Sequence, residues 1–105
     1  MRRGAPDGAT RLAAPEPRLP PDAAGVRLLR NLGPRSAAML ARAGIGTVGA
    51  LRALGAAAAW RRVRFMGERP SRNLLWAIAA GLEDRDWRSL TPAEKAALAA
   101  QLHDL

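Results

Sequence analysis

Cysteine and tyrosine are absent from this sequence, and histidine, phenylalanine and lysine occur once each. Without cysteine the chain forms no disulfide, no thiolate nucleophile and no cysteine-ligated metal site, a usage that fits the cytoplasm. A single imidazole does not make a metal site, and His103, near the chain end, reads as a surface histidine rather than a catalytic base. Carboxylates are scarce as well. Glu83, Asp84 and Asp86 form the one tight acidic cluster, at a corner where solvated turn residues are expected and no second group completes an acid–base pair. Gly44 and Gly46 follow no strand and lack a third glycine in register, so they are not a dinucleotide fingerprint. No apolar run is long enough to span a bilayer or to form the core of a secretion signal. These absences lead to the expectation of a cytoplasmic protein that is not an enzyme, with no catalytic residue, no metal, no cofactor and no membrane association.

What is present falls into two parts. Five of the eight prolines lie in the first 21 residues, among arginines and few large apolar side chains. Such a stretch buries too little surface to offset its ordering entropy, so residues 1–24 are expected to be a disordered Pro/Arg-rich tail. Residues 25–105 then form one small domain, which would bury only about 60% of its unfolded surface. Charge is uneven along it. Residues 26–72 carry ten cations and one anion, whereas residues 73–105 carry three and five. A GC-rich coding bias explains much of the arginine, but its concentration in the centre is where a phosphate footprint would lie.

Every periodic segment reads as helix and none alternates as a strand does. Asp22 is the expected cap of a first short helix carrying Val26, Leu28, Leu29 and Leu32 and stopping at Gly33. Pro34 suits the first position of a second helix, with Ala37, Leu40 and Ala41 inward and Gly44 ending it. Thr47 caps a third with Val48, Leu51 and Leu54. A fourth carries Ala56, Trp60 and Val63, finished by Phe65 and Met66, with Arg61, Arg62 and Arg64 on its exposed side. Ser71 caps a fifth, with Leu74, Leu75, Ile78 and Leu82 buried and Trp76 beside them. After a polar corner pinned by Trp87, "TPAE" at 91–94 is a capping box that opens a last helix with Leu98, Leu102 and Leu105 inward. The fold class is all-α, a compact bundle of five or six short helices. Its three tryptophans are read as core rather than as base-stacking platforms.

The N-terminal half has the outline of a helix–hairpin–helix, a motif that offers turn amides to a nucleic-acid phosphate. In "NLGPRSA", Leu32 is the apolar plug, Gly33 the turn, Arg35 the cation and Ala37 the close packer. Asn31 stands where a first glycine is usual, and asparagine tolerates left-handed backbone better than most residues. The next corner, "AGIGT", supplies Gly44 and Gly46 around an apolar residue, so either corner is a candidate reader. Candidate nucleic-acid-binding residues are therefore Gly33, Arg35, Arg42, Gly44, Gly46, Arg61, Arg62 and Arg64. Binding of this kind touches phosphates only, so it is independent of sequence and steeply salt-dependent.

The stretches "LRNLGPRSAAMLARAGIGTVGALRALGAAAAW" and "SRNLLWAIAAGLEDRDWRSLTPAEKAAL" together resemble the C-terminal domain of the TfoX/Sxy family. "RNLGPRS", "AGIGT" and "NLLWA" carry the likeness, which runs from about Gly25 to Leu102. The resemblance implies a small all-helical domain similar to helix–hairpin–helix modules, in a bacterial family of competence and transcription regulators to which no catalysis is attributed. Members usually carry a separate α/β domain ahead of this one, where the present sequence has its proline-rich stretch. The leading expectation is a non-enzymatic regulatory module that acts mainly through a protein partner, as a monomer or weak homodimer through Trp76 and the last helix. The alternative is non-specific binding of DNA or RNA backbone through the hairpin and its arginine-rich face. One face shared by Arg35, Arg42, Arg61 and Arg64 with the exposed amides of a turn would put the alternative first.

Overall fold

The computed structural model describes residues 19–104, so the reading of residues 1–18 as a tail, and of Leu105 as inward, lies outside the described residues. Among these are five α-helices: α1 (Pro34–Arg42), α2 (Val48–Leu54), α3 (Ala56–Phe65), α4 (Arg72–Leu82) and α5 (Pro92–Asp104). Two 3₁₀ turns accompany them, Val26–Leu28 before α1 and Trp87–Ser89 between α4 and α5. The described residues contain no strand, only an isolated antiparallel bridge between Gly25 and Thr47.

The helix starts follow local chemistry. Pro34 sits in the first turn of α1, where its missing N–H removes nothing a helix would use. Thr47 accepts from the Ala50 amide and Ser71 from the Leu74 amide. At α5 the capping box is reciprocal: the Glu94 amide donates to Thr91 Oγ1 at 3.1 Å, and the Thr91 amide donates to Glu94 Oε1 at 2.8 Å. Each such cap stabilises its helix by about 1 kcal/mol. Gly44 ends α1 at φ 83°, a left-handed conformation that a side chain would strain.

α3 is the hub, packed against each of the other four helices. Its alanines Ala56, Ala57 and Ala59 let neighbours approach closely, while Trp60 and Val63 fill the space between them. Leu29, Leu40, Ile45, Val48, Leu51, Leu75 and Ile78 complete the fully buried set. Trp60 is satisfied inside the fold, since its Nε1 donates to the Ser71 carbonyl at 2.9 Å. Trp76 and Trp87 are only half-buried, and Lys95 stands over the Trp76 ring. Leu98 and Leu102 pack against the core from α5.

Three expectations are corrected. The first helix is only the turn Val26–Leu28, and Asp22 does not cap it; its carboxylate pairs with Arg52 instead. The reason is pairing by the preceding chain. The Asp22 and Ala24 carbonyls accept from the Gly49 and Val48 amides, and the Val26 amide donates to the Gly46 carbonyl. Backbone held in this way cannot also start a helix, so Asp22 and Ala24, which the sequence reading put in the tail, are tied to the start of α2. Leu28 consequently points outward, 68% exposed. Ala41 is exposed rather than inward, because Ala37, Leu40 and Ala43 already take the buried face of α1. Phe65 and Met66 do not close the apolar face of α3; they stand 88% and 56% exposed, one turn beyond the last residue that the core covers.

Candidate nucleic-acid interface

The first corner is built around Asn31. Its φ of 75° is left-handed, as a glycine's would be, and its amide group bridges to the far corner of the fold. Asn31 Nδ2 donates to the Arg85 carbonyl at 2.8 Å, and Oδ1 accepts from the Trp87 amide at 3.3 Å. Arg30 Nη1 donates to the Asp84 carbonyl at 2.9 Å beside it. The residue standing in for the motif's first glycine thus fastens α1's approach to the end of α4. Leu32 is buried behind the corner, and Ala37 packs close as expected.

What the two corners expose differs. In "AGIGT", the amides of Gly44 and Ile45 donate to Ala41 and Leu40, and those of Val48 and Gly49 donate to Ala24 and Asp22. Gly46 contributes its carbonyl to Val26. Most of that corner is taken up by the fold, although the Gly46 and Thr47 amides have no backbone partner among the described residues. At the first corner no side chain caps α1, and the amides of Gly33, Arg35 and Ser36 have no partner among the described residues. The Gly33 Cα faces open space, so a ligand can approach the backbone there.

Ion pairs sort the central arginines. Arg30 lies 3.9 Å from the Asp84 carboxylate, Arg42 lies 2.5 Å from Glu68, and Arg52 pairs with Asp22. The Arg42 contact holds the Glu68 carboxyl below the ordinary carboxylate range and raises the guanidinium in turn. Arg27, Arg35, Arg62, Arg69 and Arg72 form no ion pair among the described residues. Arg64 lies over the Trp60 ring, 5.9 Å from its centroid, and Arg61 Nη1 donates to the Leu102 carbonyl at 2.8 Å.

These arginines line adjoining grooves. One of about 540 Å³ opens beside the start of α1, walled by Asn31, Arg35, Ser36, Arg69, Asn73 and Trp87. A second, about 410 Å³, shares Arg69 with it and runs past Glu68 to Arg64 and Trp60. A third, about 450 Å³, shares Trp60 and Arg64 with the second and ends among Arg61, Phe65, Arg72 and His103. As adjoining grooves they make a strip from Arg35 to Arg72, in which Glu68 is the only carboxylate among the described residues.

Of the residues singled out from the sequence, Arg35, Arg61 and Arg64 line this strip, and Gly33 adjoins Arg35. Arg42 reaches it only through its partner Glu68. Gly44, Gly46 and Arg62 line none of the three grooves. Arg69, Arg72 and Phe65 were not singled out for binding. Their signal was faint: two arginines flanking a turn, and a phenylalanine that helical spacing sets about 200° round from Val63, off the apolar face. The acidic corner is structural. Arg85 bridges Glu83 and Glu94, and Asp86 pairs with Arg88, which keeps the carboxyl well below its usual range. No group of His, Asp or Glu among the described residues is arranged to hold a metal ion. None of the helices described is long and apolar enough to cross a membrane.

Neither the curated proteins nor the solved structures compared with this chain give a match. Residues 23–102 match the family model of the TfoX C-terminal domain, which covers both corners, α1 to α4 and most of α5. The chain belongs to the TfoX C-terminal domain family, a family of regulatory domains.

Proposed function

We propose that this domain is a non-enzymatic regulatory module that holds nucleic acid by its phosphate backbone, independently of base sequence. The observation that carries this reading is the strip itself. Arg35, Arg69, Arg64, Arg61 and Arg72 come from α1, the α3–α4 turn, α3 and α4, yet they line adjoining grooves with one carboxylate among them. Arg35, Arg69 and Arg72 form no ion pair among the described residues, and gathering like charge in this way carries an electrostatic cost that a polyanion offsets while releasing its own counterions. The unpartnered amides at Gly33, Arg35 and Ser36 lie at one end of the strip and suit a phosphate oxygen.

The test is a salt titration of binding. Affinity should fall linearly on log–log axes, and Arg35→Ala and Arg69→Ala should each flatten the slope by about 0.7–0.9, one phosphate contact apiece. Unchanged affinity and slope in both variants would remove the strip from consideration.

A second reading, action through a protein partner, draws on a different surface. A shallow groove of about 540 Å³ lies between the first 3₁₀ turn and α1, lined by Val26, Pro34, Ala37, Ala38 and Ala41. The exposed Leu28 belongs to that same turn. Ala41→Glu should abolish capture of a stoichiometric protein from a bacterial lysate while leaving the salt titration unchanged.

A further inference from the structure

We propose that the Phe65 end of the strip seats an unpaired nucleobase, so that the polyanion the domain takes is single-stranded nucleic acid; this rests on the backbone-binding reading above.

Phe65 is the only phenylalanine in the chain and stands 88% exposed, although Val63 two residues earlier is fully buried and Trp60 nearly so. A ring left in water forgoes about 1.5–3 kcal/mol of burial, in a domain with few large side chains to spend. Its surroundings are cationic. Phe65 shares its groove with Arg61, Arg64 and Arg72, and no carboxylate lines that groove among the described residues. Two of the three guanidiniums are positioned in advance, Arg61 by the Leu102 carbonyl and Arg64 by the Trp60 ring. Met66, the next residue in the chain, is also exposed.

The combination discriminates between ligands. An acidic protein would use the arginines but leaves the ring no planar partner by necessity. A duplex offers phosphates to the arginines while its base faces stay stacked inside, out of reach of a side chain on a helix end. A single strand presents both at once: phosphates along the strip and an unstacked base at its end. Aromatic rings beside a cationic groove hold single strands in this manner, with little preference among bases because each has a π-face. The inference explains why the ring is exposed, which backbone binding alone does not.

The experiment uses the full chain and three probes: a labelled short oligothymidylate, the same strand annealed to its complement, and inorganic polyphosphate, which has charge but no base. The single strand should bind more tightly than the duplex. Phe65→Ala should weaken the single strand by roughly tenfold, with the salt slope and the polyphosphate affinity unchanged, and Phe65→Trp should restore binding. Arg72→Ala should weaken all three probes and flatten the slope. Equal affinity of Phe65→Ala and the parent chain for the single strand, or a preference for duplex, overturns the base-seating inference and leaves backbone binding standing. Failure of all three probes to bind overturns both.

Discussion

Asn31 joins two corners separated by 54 residues, donating from Nδ2 to the Arg85 carbonyl at 2.8 Å while its own backbone stays left-handed at φ 75°. The same side chain accepts from the Trp87 amide. A position that in outline belongs to a phosphate-reading hairpin is thus used as an internal tie.

Two substitutions separate those roles. Asn31→Ala leaves two backbone groups without their partner and keeps the left-handed strain, so it should destabilise the domain by about 1–3 kcal/mol in urea unfolding. Asn31→Gly relieves the strain but not the lost bonds, and should fall between Ala and the parent. It restores the two-glycine pattern of a hairpin, yet it should not strengthen nucleic-acid binding. A gain in affinity would show that the corner reads phosphate through its own flexibility.

Gly81 and Gly33 make opposite predictions. A Cβ on Gly81 would lie 2.4 Å from the Arg30 carbonyl oxygen, a backbone atom that cannot swing aside. Gly81→Ala should therefore cost about 1–3 kcal/mol, despite alanine's better helix propensity, as α4 and the first corner are forced apart. A Cβ on Gly33 meets nothing within 4 Å, and the backbone there is extended, so Gly33→Ala should change stability by less than about 0.5 kcal/mol. If Gly33→Ala nonetheless weakens DNA binding in the salt titration, the ligand touches that backbone.

Acid should loosen the α4–α5 corner. The Arg85 guanidinium, and then the Thr91 amide, hold the Glu94 carboxyl down to about 2 from an ordinary 4.5. Asp86 is depressed in the same direction, chiefly by Arg88. A depressed folded value means that the unfolded chain takes up the proton first. The stabilisation is therefore complete above the ordinary carboxylate range and is lost as pH falls from about 4.5 toward about 2. Circular-dichroism melting curves across that interval should show Glu94→Gln less stable than the parent at neutral pH and less sensitive to acid. Parallel pH profiles for the two chains would contradict the assignment.

Glu68 restrains the strip. Glu68→Gln removes the only carboxylate that lines it among the described residues and frees Arg42. Affinity for nucleic acid should rise, with the log–log salt slope steeper by at most about 0.9. A weaker complex would mean that the Arg42–Glu68 pair positions the groove rather than competing for it.

Much of this was legible in the residues alone. Pro34, Thr47, Ser71 and the Thr91–Glu94 box set the helix starts because capping depends on neighbours within one turn. The buried faces of α2, α3 and α4 followed from apolar spacing, and family membership from short motifs such as "RNLGPRS" and "NLLWA" that the 23–102 match covers. The first helix was misread because its apolar spacing looked helical, while the bonds that fix the chain around its start come from Gly46, Val48 and Gly49, more than 15 residues away. Phe65 was misread for a different reason: it was given to the core for its apolar side chain, although at 3.6 residues per turn it lies about 200° round the helix from Val63, on the solvent side.

Amino-acid type and spacing by themselves determined the all-α class, the caps and stops, the excess of cations in the centre, and the left-handed tolerance of Asn31. Only the tertiary structure decided which cations are neutralised, which amides of the two corners the fold takes up, and where Phe65 stands. The reason is that helix signals act over three or four residues, whereas ion pairing and groove formation join side chains tens of residues apart. Arg42 and Arg69 are alike in the sequence. Packing gives one a carboxylate and leaves the other at the meeting point of two grooves.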